Sequence, residues 1–126
     1  MTVANDLIEE PLYRFLEEYG DNRVKRELLA FWGRHPNAKF SSRVLCYAVD
    51  CNWLDADRAL KALVEAGLVA THIYNDVPLY SLTRNQERRR PVVALAALDW
   101  DRWLLMLRRI EQGDKAANYQ HGVRGS

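Results

Sequence analysis

The run Leu60-Lys61-Ala62-Leu63-Val64-Glu65-Ala66-Gly67-Leu68-Val69 constrains the fold more than any other stretch of the chain. Up to Ala66 its apolar residues repeat at helical spacing; from Leu68 onward the chain is rich in β-formers. Gly67 stands at the change of period, where the left-handed conformation that ends a helix suits glycine and strains any other residue. A helix must therefore stop at Gly67 and reverse directly into a strand. Leu60 and Leu63 then plug a helical core from one side, with Leu68 and Val69 entering a sheet beneath it.

The segments around this junction fill in the order of elements. A first helix, 5–19, opens near Glu10-Pro11 and presents Leu12, Phe15, Leu16 and Tyr19, with Gly20 to end it. Asp21 caps a second helix in which Val24, Leu28, Phe31 and Trp32 form one apolar stripe. Gly33, Pro36 and Asn37 stop it, and Ala38-Lys39-Phe40 has room for only an edge strand. Ser41 and Ser42 cap a helix through Val44, Leu45 and Ala48 to about Asp50. A tight turn, Cys51-Asn52-Trp53-Leu54, leads to Asp55 as the cap of the helix that ends at Gly67. Residues 68–74 and 79–83 read as a hairpin around Asn75-Asp76-Val77-Pro78. Thr83 and Gln86 suggest a capping box for a further helix that Pro91 kinks or restarts. Asp99 caps a last long helix lined by Trp100, Trp103, Leu104, Leu107 and Ile110. Residues 113–126 read as a polar, flexible tail.

Helix, short strand, helix, turn, helix, hairpin is the winged helix-turn-helix order. Leu60 to Val69 resembles the "aLkrLeeaGLV" signature at the end of the recognition helix in MarR-like and related winged-helix regulators. Leu79-Tyr80-Ser81-Leu82-Thr83 is similar to the "YsLT" that closes their hairpins. The resemblance covers about 21–83, with extra helices at 5–19 and 84–112. It implies a mainly α fold with a small β-hairpin (α+β), one domain over 1–112, and a recognition helix that enters the major groove of double-stranded DNA.

Carried onto this sequence, the resemblance places Arg58 and Lys61 outward on that helix, with Trp53 at the preceding turn. Ser41, Ser42 and Arg43 begin the second helix of the motif, where backbone N–H groups can meet a phosphate. His72, Asn75 at the wing tip, and Arg84 and Arg88 supply further contacts if they share that face. Against this, Ser41 to Val69 holds Arg43, Arg58 and Lys61 but also Asp50, Asp55, Asp57 and Glu65, a net charge of −1. Carboxylates facing a polyanion repel it, and Val77-Pro78-Leu79 makes an apolar wing. Both features fit the alternative reading, a winged helix that binds protein rather than DNA.

The flanks suggest a homodimer. Leu12 and Phe15, with Trp100, Trp103, Leu104 and Leu107, are more apolar surface than a winged core of about 60 residues covers alone, and such additions pair subunits over two half-sites. Charge is uneven: residues 1–20 carry a net −4, whereas Arg84, Arg88, Arg89 and Arg90 against Glu87 form a knot of +3.

Composition excludes much else. The 126 residues suit a single domain, and 48% hydrophobic with 28% charged residues is a globular mix. No apolar run approaches the ~18 residues of a membrane span, and the start lacks the pattern of a signal peptide, so the expected location is cytoplasmic. Cys46 and Cys51 are too few for a disulfide framework and read as small buried side chains. With His35, His72 and His121 in unrelated segments, they outline no metal site. Nucleotide-loop, hydrolase-elbow and metalloprotease motifs are missing from the sequence, so neither a cofactor nor enzyme activity is expected.

Overall fold

The computed structural model describes the backbone of residues 2–125 and the side chains of residues 10–112. Helix α1 (Thr2–Tyr19) precedes α2 (Arg23–Arg34), strand β1 (Lys39–Phe40), α3 (Ser42–Val49) and α4 (Trp53–Glu65). The hairpin strands β2 (Val69–Tyr74) and β3 (Val77–Leu82) follow, then α5 (Gln86–Leu95) and α6 (Trp100–Gly125). The mainly α, α+β winged helix expected from the sequence is what forms. The flexible tail expected at 113–126 lies outside the residues whose side chains are described.

The three strands make one antiparallel sheet in the order β1-β3-β2. Asn75 and Asp76 alone turn the hairpin, at φ of 49° and 65°, and Tyr74 pairs with Val77. Two left-handed residues are what a type I′ turn needs, and Asn and Asp tolerate them. Val77 and Pro78 therefore belong to the strand, not to the turn as the sequence suggests. Pro78 opposes Ile73, one step from the turn, so by ladder alternation its nitrogen faces away from β2. On that side β1 reaches only Tyr80 and Ser81, so no partner needs the missing N–H.

The end of α4 is the Schellman reversal that Gly67 allows. Leu68 N donates to Leu63 O and Gly67 N to Val64 O, both at 3.0 Å, with Gly67 at φ 78°. Leu63 and Leu68 are both buried beside it.

Four capping or boundary assignments need correction. The cap of α2 is Asn22, which accepts from Lys25 N, while Asp21 pairs with Lys25 Nζ at 2.8 Å. Asn52 caps α4 by accepting from Asp55 N at 2.8 Å, so the helix starts two residues before Asp55 and includes Trp53 and Leu54. Asn85 caps α5, and Thr83 Oγ1 instead accepts from Asn85 N. Pro11 lies inside α1, where the turns after it are held by burial of Leu12, Phe15 and Leu16. Ser41 and Asp99 cap α3 and α6 as expected.

One core joins all parts. Leu28, Leu29 and Trp32 of α2 meet Leu45 and Val49 of α3 and Ala59, Leu60 and Leu63 of α4. Leu12, Phe15 and Leu16 of α1, Val92 and Leu95 of α5, and Met106 and Ile110 of α6 extend the same cluster. Leu12 and Phe15 are thus spent inside the chain's own core and are not an exposed dimer surface, a correction to the sequence reading. Their side chains complete a helical layer that the winged core alone leaves uncovered.

At Gly33 the backbones of α2 and α5 pack closely: a Cβ there would stand 2.5 Å from Val92 O. That obstacle is backbone and cannot rotate away. Gly33→Ala is expected to lower stability by about 1–3 kcal/mol despite alanine's better helix propensity, read as a lower midpoint in urea.

Arg109 joins α6 to α1. Its guanidinium makes two bonds to the Glu10 carboxylate, at 2.7 and 3.1 Å, and lies 3.8 Å from the Tyr13 ring centroid. The hydrogen bond from Arg109 holds the Glu10 carboxyl below its ordinary value of 4.5. A lowered folded-state pKa adds stability that is complete above the unfolded value and disappears as pH falls through the folded one. Acid titrations of the wild type and Glu10→Gln should therefore diverge above about pH 4.5 and converge at lower pH, with the variant the less stable at neutrality.

Candidate nucleic-acid interface

The buried residues of α4, Ala56, Ala59, Leu60 and Leu63, fix one face of the helix on the core. At 100° per residue the opposite face is Leu54, Arg58, Lys61 and Glu65, and all four are exposed. Among the described residues, nothing in the terminal helices covers this surface. It is the free face of the helix that the sequence assigns to the major groove.

The two aspartates of concern take different roles. Asp55 sits in the first turn, its backbone N–H bonded to Asn52 and its carboxylate accepting from Asn52 Nδ2 at 3.1 Å. A negative charge in a first turn favours the helix. Asp57 pairs with Lys61 Nζ at 3.3 Å across one turn. Such exposed pairs contribute little, so Lys61 can exchange this partner for a phosphate at small cost. Arg58 has no carboxylate partner among the described residues. It lines a hollow of about 480 Å³ with Asp55, Arg23 and Lys25, at the start of α2.

The turn that aims α4 is held from α2. Arg23 donates to Val49 O and Asp50 O, each at 3.0 Å, gripping the end of α3, where Asp50 is left-handed at φ 48°. Sequence reasoning missed this residue; a lone arginine at a helix start carries no signal of a contact 26 residues away.

Around that turn Ser42, Arg43, Tyr47 and Trp53 line an open cavity of about 550 Å³ that Cys46 and Cys51 also border. Ser41 does not line it and serves as the α3 cap, its Oγ accepting from Val44 N. Trp53 is 73% exposed and Tyr47 84%. Tyr47 was not singled out from the sequence, although it falls on the face of α3 away from buried Leu45 and Val49. Burial, then the neighbouring Cys46, pushes the Cys51 thiol up, which makes it a poor thiolate nucleophile. Both cysteines are free and only half-buried, less enclosed than the small buried side chains expected.

The remaining sequence candidates do not form one patch. His72 and Arg84 face a separate hollow, on the outer side of the sheet. Asn75 is part of the wing-tip turn. Arg88, expected on DNA, instead hydrogen-bonds Ala66 O and lies against Gly67, capping the C-terminal end of α4. Its guanidinium reaches an unsatisfied helix carbonyl, which is why it turns inward. Arg89 likewise bonds Thr83 O and Asn37 Oδ1.

On the α6 side, Trp100 is 69% exposed and Leu104 and Leu105 are exposed with it. Trp103 and Leu107 are half-buried. Among the described residues no helix is long and apolar enough to cross a membrane, and no cluster of three or more His, Cys, Asp or Glu could hold a metal.

No protein-family model matches the chain, and no curated protein matches it in sequence. Solved structures do match in shape. MepR, a transcription regulator of the Staphylococcus aureus multidrug efflux pump MepA, is 12% identical, with a TM-score of 0.57 over 98% of this chain and 93% of its own. The heme sensor protein PefR of Streptococcus agalactiae, bound to heme and carbon monoxide, is 13% identical, with a TM-score of 0.50 over 98% of this chain and 87% of its own. A MarR family transcriptional regulator from Silicibacter pomeroyi is 18% identical, with a TM-score of 0.47 over 90% and 82%. With the helix-turn-helix and wing already described, the likeness to MepR and PefR establishes that the chain has a winged-helix fold.

Proposed function

We propose that this protein is a DNA-binding transcriptional regulator of the winged-helix type, acting in the cytoplasm as a homodimer and not as an enzyme. The observation that carries the reading is the free outer face of α4, with Arg58 and Lys61 exposed and every large apolar residue beyond Leu54 turned inward. Arginine can pair bidentately with guanine and lysine can hold a phosphate. Ser42 and Arg43 at the start of α3, which share a cavity with Trp53 at the start of α4, would serve as contacts to the DNA backbone. The regulator role of MepR, which shares this shape over nearly the whole chain, supports the same reading.

Pairing of two subunits uses Trp100, Leu104 and Leu105 of α6, with the half-buried Trp103 and Leu107 beneath them. An isologous pair would set two α4 helices for two half-sites. The test is sedimentation equilibrium with and without duplex DNA. Two chains per duplex, from a protein already dimeric alone, is the expected result; a monomer that shifts no duplex at low salt ends the proposal.

A second reading has its own support. Tyr47, Trp53, Ile73, Tyr74 and Val77 are all exposed, and exposed apolar surface of this kind marks protein interfaces. If the winged helix binds protein, Tyr47→Ala and Trp53→Ala will weaken that complex, and Arg58→Ala will leave it unchanged.

A further inference from the structure

The outer face of the sheet carries a second basic site, away from α4. Lys39 and Ser81 are register partners on β1 and β3, and strand alternation puts His72 of β2 on the same side. The β3–α5 connection and the first turns of α5 fold over this face with Arg84 and Arg89, enclosing a hollow of about 310 Å³ that Asn37 also lines. No carboxylate lines it among the described residues. The volume is at the small end of ligand pockets, which run from about 300 to 1,000 Å³.

The cations around this hollow meet no carboxylate among the described residues, whereas six others do. Arg14, Arg23, Lys25, Lys61, Arg102 and Arg109 each face a carboxylate. Around the hollow, Arg89 spends its bonds on neutral oxygens, Thr83 O at 3.2 Å and the Asn37 side chain, which fix the guanidinium without cancelling its charge. Lys39 and Arg84 have no hydrogen-bonding or ionic partner among the described residues. His72 Nε2 lies 2.9 Å from Ser81 Oγ, so imidazole and hydroxyl are mutually oriented at the wall. One held cation and two free ones with neutral donors between them, in a chain of net charge +1, is the chemistry of oxyanion capture.

We propose that this hollow on the outer face of the sheet binds a phosphate group. Lys39 and Arg84 are its mobile clamps and Arg89 its fixed cation. The phosphate can come from a DNA backbone or from a free phosphorylated molecule. The first source rests on the DNA-binding reading; the site itself does not.

The experiment uses inorganic phosphate as probe on the full chain, following the His72 ring resonances by NMR. Saturable shifts are expected in the wild type, and the doubly substituted Lys39→Gln/Arg84→Gln protein should need at least ten-fold more phosphate. Both residues are exposed or unpartnered, so folding is expected to be unaffected, which the remaining spectrum verifies. The site is overturned if the wild type shows no saturation, or if the double variant binds phosphate as tightly. A duplex-binding titration then identifies the source. A salt slope reduced by about two in the double variant assigns the site to the DNA backbone. An unchanged slope assigns it to a free phosphorylated ligand. Should the wild type bind no duplex at all, the regulator reading fails while the phosphate titration still decides the site.

Discussion

Truncating Trp32 to alanine is expected to lower stability by about 3–5 kcal/mol, a large share of the 5–15 kcal/mol available to a domain of this size. Trp32 is fully buried, the largest side chain in the core, with its ring 6.3 Å from that of Phe40. It stands on α2 inside the winged core, so the cavity would open within the cluster that it shares with Leu28, Leu45 and Leu60. The indole Nε1 has no acceptor among the described residues, and a buried donor left unpaired costs about 1–3 kcal/mol. Trp32→Phe removes that donor while keeping most of the ring. Chemical denaturation should therefore show Trp32→Phe losing less than half of what Trp32→Ala loses; equal losses would mean that the indole N–H is satisfied.

The second large effect concerns binding. Replacing Arg58 with alanine is expected to weaken a specific duplex complex by about 1–3 kcal/mol, or roughly 5- to 150-fold, and to relax preference at one base pair. Lys61→Ala should weaken all duplexes alike and reduce the salt slope by about one. Because both side chains point away from the core, neither change should move the denaturation midpoint by more than about 0.5 kcal/mol. Fluorescence anisotropy across a salt series separates the two effects. If Arg58→Ala acted uniformly on all sequences, its guanidinium would be holding phosphate rather than reading a base.

The elements that could be read in the sequence were those fixed by local chemistry. Gly67 between a helical and a strand period specifies the reversal, and that reversal identifies α4 as the helix that leads into the hairpin. Caps were harder, because the sequence offers two side-chain oxygens close together at each boundary. Asn22 was chosen over Asp21, Asn52 over Asp55 and Asn85 over Thr83 by which oxygen reaches the amide three residues on. The arginine knot misled for another reason. Charge is visible in a sequence but the acceptor is not, and Arg88 finds the carbonyl of Ala66, 22 residues away. The flanking helices divide in the same way: Leu12, Phe15, Met106 and Ile110 turn inward, whereas Trp100 and Leu105 stay outside. Periodicity gives each helix an apolar side, but only the packed core decides how much of it is consumed.

The coupling between α5 and α4 gives the extra helices a physical role. Arg88 holds the C-terminal end of α4 from α5, and Arg23 grips the preceding turn from α2. The exposed face of α4 is thus clamped at both ends by elements outside the helix itself. Preorganisation of this kind lowers the ordering cost of binding.

The most direct test is selection of duplexes from a randomised pool, followed by a salt titration of the enriched site with wild type and Arg58→Ala. The account predicts enrichment of a two-fold-related site, an affinity that falls linearly with log salt, and selective loss of that site in the variant. No enrichment at low salt, or an enriched site that Arg58→Ala binds as tightly as the wild type, would contradict it.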